Sequence, residues 1–358
     1  MKPVAVVHST IYGGAEAYMS RLYRILSERG DAPLLLGSIP GWEAEGLSRR
    51  PLELSPKWVG STVLAGALRL PGERARLRQE VDRLEVDYFH VQFKREQIGF
   101  SALLDDRAPV VWTEHGRFLR GPKGALLGQG YKRAARHAAV IICVSDDVAG
   151  DVRQVVGPRP RIEVIENSVD TRALRPPDAQ DKARARIALG IPENLPVLLW
   201  VGRLHPRKRP GFAVDLARQW PGVTIIAGDG ELRGEVEASA AEVPNAFVLG
   251  HVDETATLFQ AADVMAFTST GGEGFPTTLL EAAAHGVAVV GDEASTVGRI
   301  LRDMGTDPLQ AGATVEEWVE TLLASLSRDR SVEVRRWAEE HDVQLWAQRH
   351  RDIFESVL

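Results

Sequence analysis

Thr268-Ser269-Thr270-Gly271-Gly272-Glu273-Gly274-Phe275-Pro276-Thr277-Thr278-Leu279-Leu280-Glu281-Ala282 follows the apolar run Val264-Met265-Ala266-Phe267. The run is short, apolar and bounded by turn residues, as a buried parallel strand is. Pro276 suits the first turn of a helix, because its fixed φ is helical and its missing N–H is not needed there. The spacing predicts strand, glycine-rich loop and helix, with Glu273 in the loop and Glu281 beyond the helix's first turn. A carboxylate accepts two hydrogen bonds from a sugar diol, and free N–H groups at Gly274–Thr278 suit a phosphate or sugar hydroxyls. The fold class is therefore α/β, with chemistry at the carboxyl ends of the strands.

The same alternation runs outward in both directions. In the first half the strand candidates are Val4–Val7, Pro33–Leu36, Tyr88–Val91, Val110–Thr113, Val140–Val144 and Ile162–Ile165. Between the first two lies a helix with Tyr18, Leu22, Ile25 and Leu26 on one face, Arg21, Arg24 and Glu28 on the other, and Gly30 as its stop. Residues 171–196 change composition, with Pro176-Pro177, many charges, Pro192 and Pro196, and read as a linker followed by a short helix. Strands resume at Val197–Val201, Val223–Ala227, Ala246–Leu249, Val264–Phe267 and Val287–Val290. Ser331–Leu358 reads as two helical pieces broken near His341-Asp342. Two doubly wound parallel-sheet domains facing a cleft follow, spanning 1–175 and 176–340. Trp346, Ile353 and Phe354 form an apolar face at helical spacing in the tail, 341–358.

Three further segments sit at strand ends. Gly13-Gly14-Ala15-Glu16 opens the first helix; alone it is as well read as an ordinary turn, and it is not a G-x-G-x-x-G dinucleotide fingerprint. Gly202-Arg203-Leu204-His205-Pro206-Arg207-Lys208-Arg209 places four cations, Arg203, Arg207, Lys208 and Arg209, where fixed positive charge would hold a diphosphate, or where a basic loop is simply solvated. Gly228-Asp229-Gly230 is either a loop approaching a ligand or a glycine turn.

Composition narrows the function. The chain has 358 residues, is 44% hydrophobic and 26% charged, and so is globular rather than disordered. No apolar run approaches the ~18 residues of a spanning helix. The N-terminus reads as a strand, not a signal peptide. The single Cys143, in an apolar run, fits a buried small hydrophobe better than a catalytic thiol. These features point to the cytoplasm. The net charge of −6 divides unevenly: residues 1–175 hold 26 Lys+Arg against 21 Asp+Glu, the remainder 17 against 28. The basic half, with Arg117, Phe118, Arg120, Lys123, Tyr131, Lys132, Arg133 and Arg136 in one run, is compatible with an anionic acceptor or peripheral contact at the inner face of a membrane, and equally with solvated helix charges. Nothing indicates a nucleic acid partner.

Taken in order, these segments resemble a family 4 (group 1) glycosyltransferase of the retaining, GT-B-fold kind. The paired-glutamate pattern E-G-F-x-x-x-x-x-E is matched by Glu273-Gly274-Phe275 and Glu281, and G-R-L-x-x-x-K by Gly202-Arg203-Leu204 and Lys208. The early G-G-A-E loop is matched at Gly13–Glu16, the G-x-G at Gly228 and Gly230, and N-G-V-D at Asn167-Ser168-Val169-Asp170, with Ser168 for glycine. The resemblance implies a nucleoside-diphosphate sugar held by the second domain. Arg203 and Lys208 would hold the diphosphate, Glu281 the ribose, and Glu273 with the backbone of Gly274, Phe275, Pro276 and Thr277 the sugar. Val252 would lie against the base, and Gly228 and Gly230 would line the donor. Gly13 and Gly14 count among the donor contacts, with the hydroxylated acceptor nearby on the first domain. His115, in Thr113-Glu114-His115-Gly116, matches a histidine near the transferred sugar; the residues alone leave open a histidine capping a strand end. The catalytic set is thus Glu273, His115, Arg203 and Lys208. The final helix is implied to cross back to the first domain.

The resemblance further implies transfer with retention, no cofactor, and no metal, since the cations do what a divalent ion does elsewhere. The departures are His90-Val91-Gln92, where a second histidine is common, Arg209 for a common glycine, and Glu166 for a common proline. A nucleotide-sugar 2-epimerase and a non-catalytic sugar-nucleotide binding protein are the competing readings.

Overall fold

The computed structural model describes the whole chain apart from residues 12, 56, 59–62, 117–121, 294–296, 307 and 329. The chain divides into two compact units, Met1–Asn167 with Gln344–Leu358, and Ser168–Val343.

The first unit is built on seven parallel strands: β1 (Pro3–His8), β2 (Leu34–Ser38), β3 (Ser48–Arg50), β4 (Tyr88–Val91), β5 (Val110–Glu114), β6 (Val140–Cys143) and β7 (Ile162–Val164). Their order is β3-β2-β1-β4-β5-β6-β7. Val4–Val7, β4, β5 and β6 are buried, as strands covered on both faces must be. β3 is an addition to the sequence reading. Its Ser-Arg-Arg carries no apolar signature because it is a short edge strand with its outer side in solvent. The helix Gly14–Glu28 buries Tyr18, Met19, Leu22, Tyr23, Ile25 and Leu26, and pairs Arg24 with Glu28 at 2.7 Å on its outer face. Gly30, at φ 91°, follows it.

The last helix, Val343–Glu355, belongs to this unit from Gln344 onward. Phe354 is fully buried and stacks on Tyr88 at 4.5 Å; Trp346 meets Tyr18 edge-on at 4.8 Å. Ile353 is only half-buried. His350 Nδ1 lies 2.8 Å from the carbonyl of Trp346, so that nitrogen carries the proton and Nε2 accepts from the Tyr18 hydroxyl. Arg29 holds Gln344 and Gln348 from outside.

The second unit has five parallel strands, β8 (Val197–Val201), β9 (Val223–Ala227), β10 (Ala246–Gly250), β11 (Val264–Phe267) and β12 (Ala288–Gly291), in the order β10-β9-β8-β11-β12. The break between units comes earlier than the composition shift after residue 175 suggests. Arg335 is the reason: its guanidinium donates to the carbonyls of Thr171, Leu174 and Ala284 at 2.6–2.7 Å. Val169 and His341–Val343 exchange two backbone hydrogen bonds, which keeps the tail in this unit until Val343 rather than to residue 340. Among the described residues no helix is long and apolar enough to cross a membrane.

Truncating Phe354 to alanine removes a fully buried ring and is expected to cost about 3–5 kcal/mol, borne by the first unit. Hydrogen exchange checks this: amides of β4 lose protection while those of β8 and β9 keep theirs. Equal loss in both sheets would refute the assignment of the last helix to the first unit's core.

Candidate active site

In the second unit the strand order reverses between β8 and β11. In open α/β sheets a ligand binds beyond the carboxyl ends of the strands at such a reversal. The two loops at this point are 202–209 and 268–276, the segments carrying the cations and the paired glutamates. They are laced together. Thr268 Oγ1 accepts from Trp200 Nε1 at 2.8 Å and donates to the Lys208 carbonyl at 2.6 Å, while the Thr270 amide donates to the Arg207 carbonyl. Lys208 Nζ lies 2.8 Å from Glu273 Oε1, which also accepts from Ser269 Oγ at 2.7 Å. Lys208 and Glu273, 65 residues apart in the chain, are thus one charged pair at the reversal. Arg203 is exposed, and no ion pair or hydrogen bond of its side chain is found among the described residues.

Glu281 lies on the helix Thr277–Ala284 and accepts from Thr255 Oγ1 at 3.1 Å. Thr255 belongs to the loop that follows β10, so Glu281 and the loop of half-buried Val252 are brought to one side of the site. Pro276 is the residue before that helix, at ψ 123°, rather than within its first turn, so the free amides begin at Thr277.

The structure gives physical reasons for the residues at four of these positions. Gly228 and Gly230 need to be glycine for protein packing: a Cβ at Gly228 would run into the Gly202 carbonyl, and one at Gly230 would come within 2.5 Å of the Leu204 carbonyl. They brace the Arg203 loop from below. Phe275 turns its ring inward, stacked on His341 at 5.6 Å and Trp337 at 6.1 Å, so any contact it makes with a ligand is through its backbone. Arg209 stands where glycine is common because the position is left-handed, φ 51°, ψ 53°. Its guanidinium lies over Phe212 at 4.1 Å and 3.8 Å from Asp292.

Gly13, Gly14 and His115 belong to the first unit, and Gly13 and Gly14 follow β1 at its order reversal with β4. Gly13 caps the first helix without a side-chain partner for the amides beyond it. Gly14 has open space where a Cβ would stand, and Glu16 folds back toward Gly13 and pairs with Lys57. His115 follows β5. Its ring meets Tyr18 edge-on at 4.7 Å, and its Nε2 lies 3.0 Å from Gln92 Oε1. An amide oxygen only accepts, so Nε2 carries the proton and Nδ1 keeps its lone pair. Burial pushes the imidazole pKa down to about 3, and the ammonium groups of Lys94 and Lys57 push the same way. His115 is therefore a neutral acceptor over the whole neutral range. Gln92, which reads in the sequence as a lost histidine, holds His115 in this tautomer. The basic run at Arg117, Phe118 and Arg120 lies outside the described residues. Among the described residues no group of three or more His, Cys, Asp or Glu is arranged to hold a metal ion.

Residues 12–173 match the family model described as Glycosyltransferase Family 4, and residues 195–328 match that of Glycosyl transferases group 1. The chain belongs to the group 1 glycosyltransferases of family 4 type. It is 33% identical over 248 residues to the D-inositol 3-phosphate glycosyltransferase of Mycobacterium tuberculosis, a match covering 63% of this chain and 51% of that protein. The chain spans about half the length of the curated relatives it matches. Among solved structures it superposes on Anabaena Alr3699/HepE in complex with UDP with a TM-score of 0.82 at 19% identity, over 99% of this chain and 100% of that one. WaaG, a glycosyltransferase involved in lipopolysaccharide biosynthesis, gives 0.74 at 15% identity, over 99% of each chain. These two share the fold, GT-B, in which both domains are Rossmann-like parallel sheets.

The tautomer lock on His115 has a measurable consequence. In Gln92→Glu a carboxylate faces Nε2–H, favours the imidazolium and raises the His115 pKa. Nitrogen chemical shifts of labelled histidine are expected to show a neutral, Nε2-protonated His115 in the parent down to about pH 4, and a ring that protonates at clearly higher pH in the variant. An unchanged titration would break the link between Gln92 and His115.

Proposed function

We propose that this protein transfers a sugar from a nucleoside-diphosphate sugar to a hydroxyl of an acceptor, with retention of anomeric configuration and without a metal ion. The observation that carries the reading is the Lys208–Glu273 pair at the order reversal of the second sheet, with Glu281 and the amides from Thr277 beside it. A cation, two carboxylates and a helix N-terminus are the groups a diphosphate, a ribose and a sugar ring require. The structural relative from Anabaena was solved with UDP and with UDP-glucose, which makes UDP compounds the first donors to test. The curated relatives act on an inositol phosphate, so a hydroxylated, polar acceptor is the class favoured here.

In this reading Arg203 and Lys208 bind the diphosphate and stabilise the charge that grows on it as the glycosidic bond breaks. The leaving phosphate takes the acceptor's proton on the same face, so no enzymic nucleophile is required. His115 accepts a hydrogen bond from a sugar hydroxyl at Nδ1 and thereby holds the ring. Glu273, released from Lys208 by the diphosphate, faces the sugar, where positive character develops.

Arg203→Ala and Lys208→Ala are each expected to weaken nucleoside-diphosphate binding roughly tenfold or more, the scale of one charged hydrogen bond. Calorimetric titration with UDP, GDP and dTDP checks it; parental affinity in both variants would displace the site. Chelator is expected to leave turnover unchanged, and donor alone to remain unepimerised.

Glu281 is placed on the nucleotide, whose contacts are alike in ground and transition states, so Glu281→Gln is expected chiefly to raise KM for the donor. Glu273→Gln is expected chiefly to lower kcat, by roughly 10²-fold, because its carboxylate acts on charge present only as the bond breaks. Steady-state kinetics with a working donor–acceptor pair decides; the reverse pattern would invert the two roles.

A further inference from the structure

The first unit carries a second feature that transfer does not use. At the amino-terminal edge of its sheet, where β6 and β7 begin, the ends of the helices Pro122–Ala134 and Asp146–Val156 enclose a cavity of about 680 Å³. His115 follows the carboxyl end of β5, so the cavity lies at the opposite edge from it. Four cations line the cavity, Lys132, Arg136, Arg159 and Arg161, and among the described residues no carboxylate does. Its floor is made of small residues, Ala135, Ala138 and Ala139, with Val156.

The wall is preorganised. Arg159 lies between Pro158 and Pro160, whose rings fix φ, and the Arg161 carbonyl accepts from the Ile141 amide, which ties the loop to the sheet. The Arg161 guanidinium is oriented by Glu163 at 2.9 Å and Ser356 at 2.8 Å. Lys132, Arg136 and Arg159 are exposed, and no ion pair or hydrogen bond of their side chains is found among the described residues. His137 Nδ1 lies 2.9 Å from Asp105, and Arg107 pairs with Asp82.

Cations at helix carboxyl ends commonly offset the helix dipole, so that account must be weighed. Each helix end carries about half a negative charge. Two of them offset one of the four cations, and Glu163 offsets another. About two positive charges remain uncompensated around one concave, rigid wall, which is the charge of a phosphate dianion reversed.

We propose that this cavity is a binding site for a phosphate group, borne by a lipid headgroup or by a soluble phosphate ester. The site is separate from the donor diphosphate site in the second unit and independent of the proposed transfer reaction.

The test uses the whole chain, the parent, the triple variant Lys132→Gln/Arg136→Gln/Arg159→Gln, and Lys208→Ala as a donor-site control. Sedimentation with phosphatidylcholine vesicles, with and without phosphatidic acid, reads the lipid arm. Thermal unfolding in inorganic phosphate against chloride at equal ionic strength reads the soluble arm. The parent and Lys208→Ala are expected to respond alike in at least one arm. The triple variant is expected to lose vesicle affinity by roughly a hundredfold, at about fivefold per cation, or to lose the phosphate-induced rise in melting temperature. Response to vesicles alone assigns a lipid headgroup; response to phosphate alone assigns a soluble ester. No response in either arm, or an equal response in the triple variant, overturns the proposal. Circular dichroism confirms folding, and Arg159→Gln alone, with a roughly fivefold loss, serves should the triple variant unfold.

Discussion

Everything in the second unit's site depends on one constraint of parallel sheets. A right-handed crossover sends the helix after each strand to one face, and where strand order reverses, the helices after two adjacent strands leave to opposite faces. Between β8 and β11 that reversal sets the loops leading to two diverging helices side by side at the carboxyl edge of the sheet. The chain puts Arg203 and Lys208 on one of those loops and Glu273 on the other. Side chains from distant parts of the sequence meet there because of topology, before any ligand contributes. The first unit repeats the arrangement between β1 and β4, with Gly13-Gly14 after the one and Gln92 after the other.

Divergent loops are a liability unless something holds them, and here the backbone does most of it. The Gly202 amide donates to the Ala227 carbonyl, the Leu204 amide to Asp229, and the Leu232 amide back to Leu204. Such close lacing leaves no room for side chains at Gly228 and Gly230. Their glycine character is a demand of loop-on-loop packing, and its effect on chemistry is to fix where Arg203 begins. Arg209 shows the same economy from the other direction. A left-handed non-glycine residue costs about 1–2 kcal/mol, and the contacts of its guanidinium with Phe212 and Asp292 offset part of that cost.

Much of this was legible in the residues because buried parallel strands are compositionally loud. The longer strands appear as apolar runs of Val, Ile, Leu and their like, and the loops at their carboxyl ends carry glycines and charges. β3 was not legible, since Ser48–Arg50 pairs through its backbone alone. The helix Val63–Val81 was hidden for another reason: Gly66, Pro71 and Gly72 interrupt its pattern, yet it forms against the body of the unit. At the site, charge and spacing identified Lys208, Glu273 and Glu281, but not their supports. Ser269, Thr255 and Gln92 act through single hydrogen bonds at particular distances, and no periodicity reports a hydrogen bond. Gln92 had a signal all the same, as the polar residue standing where a second histidine is common. The direction of the Phe275 ring had no signal, because it is set by Trp337 and His341, more than sixty residues later.

The Lys208–Glu273 pair joins the two loops electrostatically. Glu273 is largely buried, its side chain 17% exposed, and Lys208 is 25% exposed. Either charge left alone in that setting would carry a desolvation cost without compensation. Before donor binds, each is the other's counter-ion, and Ser269 satisfies a further lone pair of the carboxylate. In the proposed reading, a diphosphate arriving at the loop would bring more negative charge than one carboxylate and would take the ammonium. Glu273 would then be released beside the sugar, still anchored by the Ser269 hydroxyl. Occupancy of the diphosphate position and readiness of the carboxylate would be one event, so that a negative charge would stand next to a developing positive one only when the donor is present.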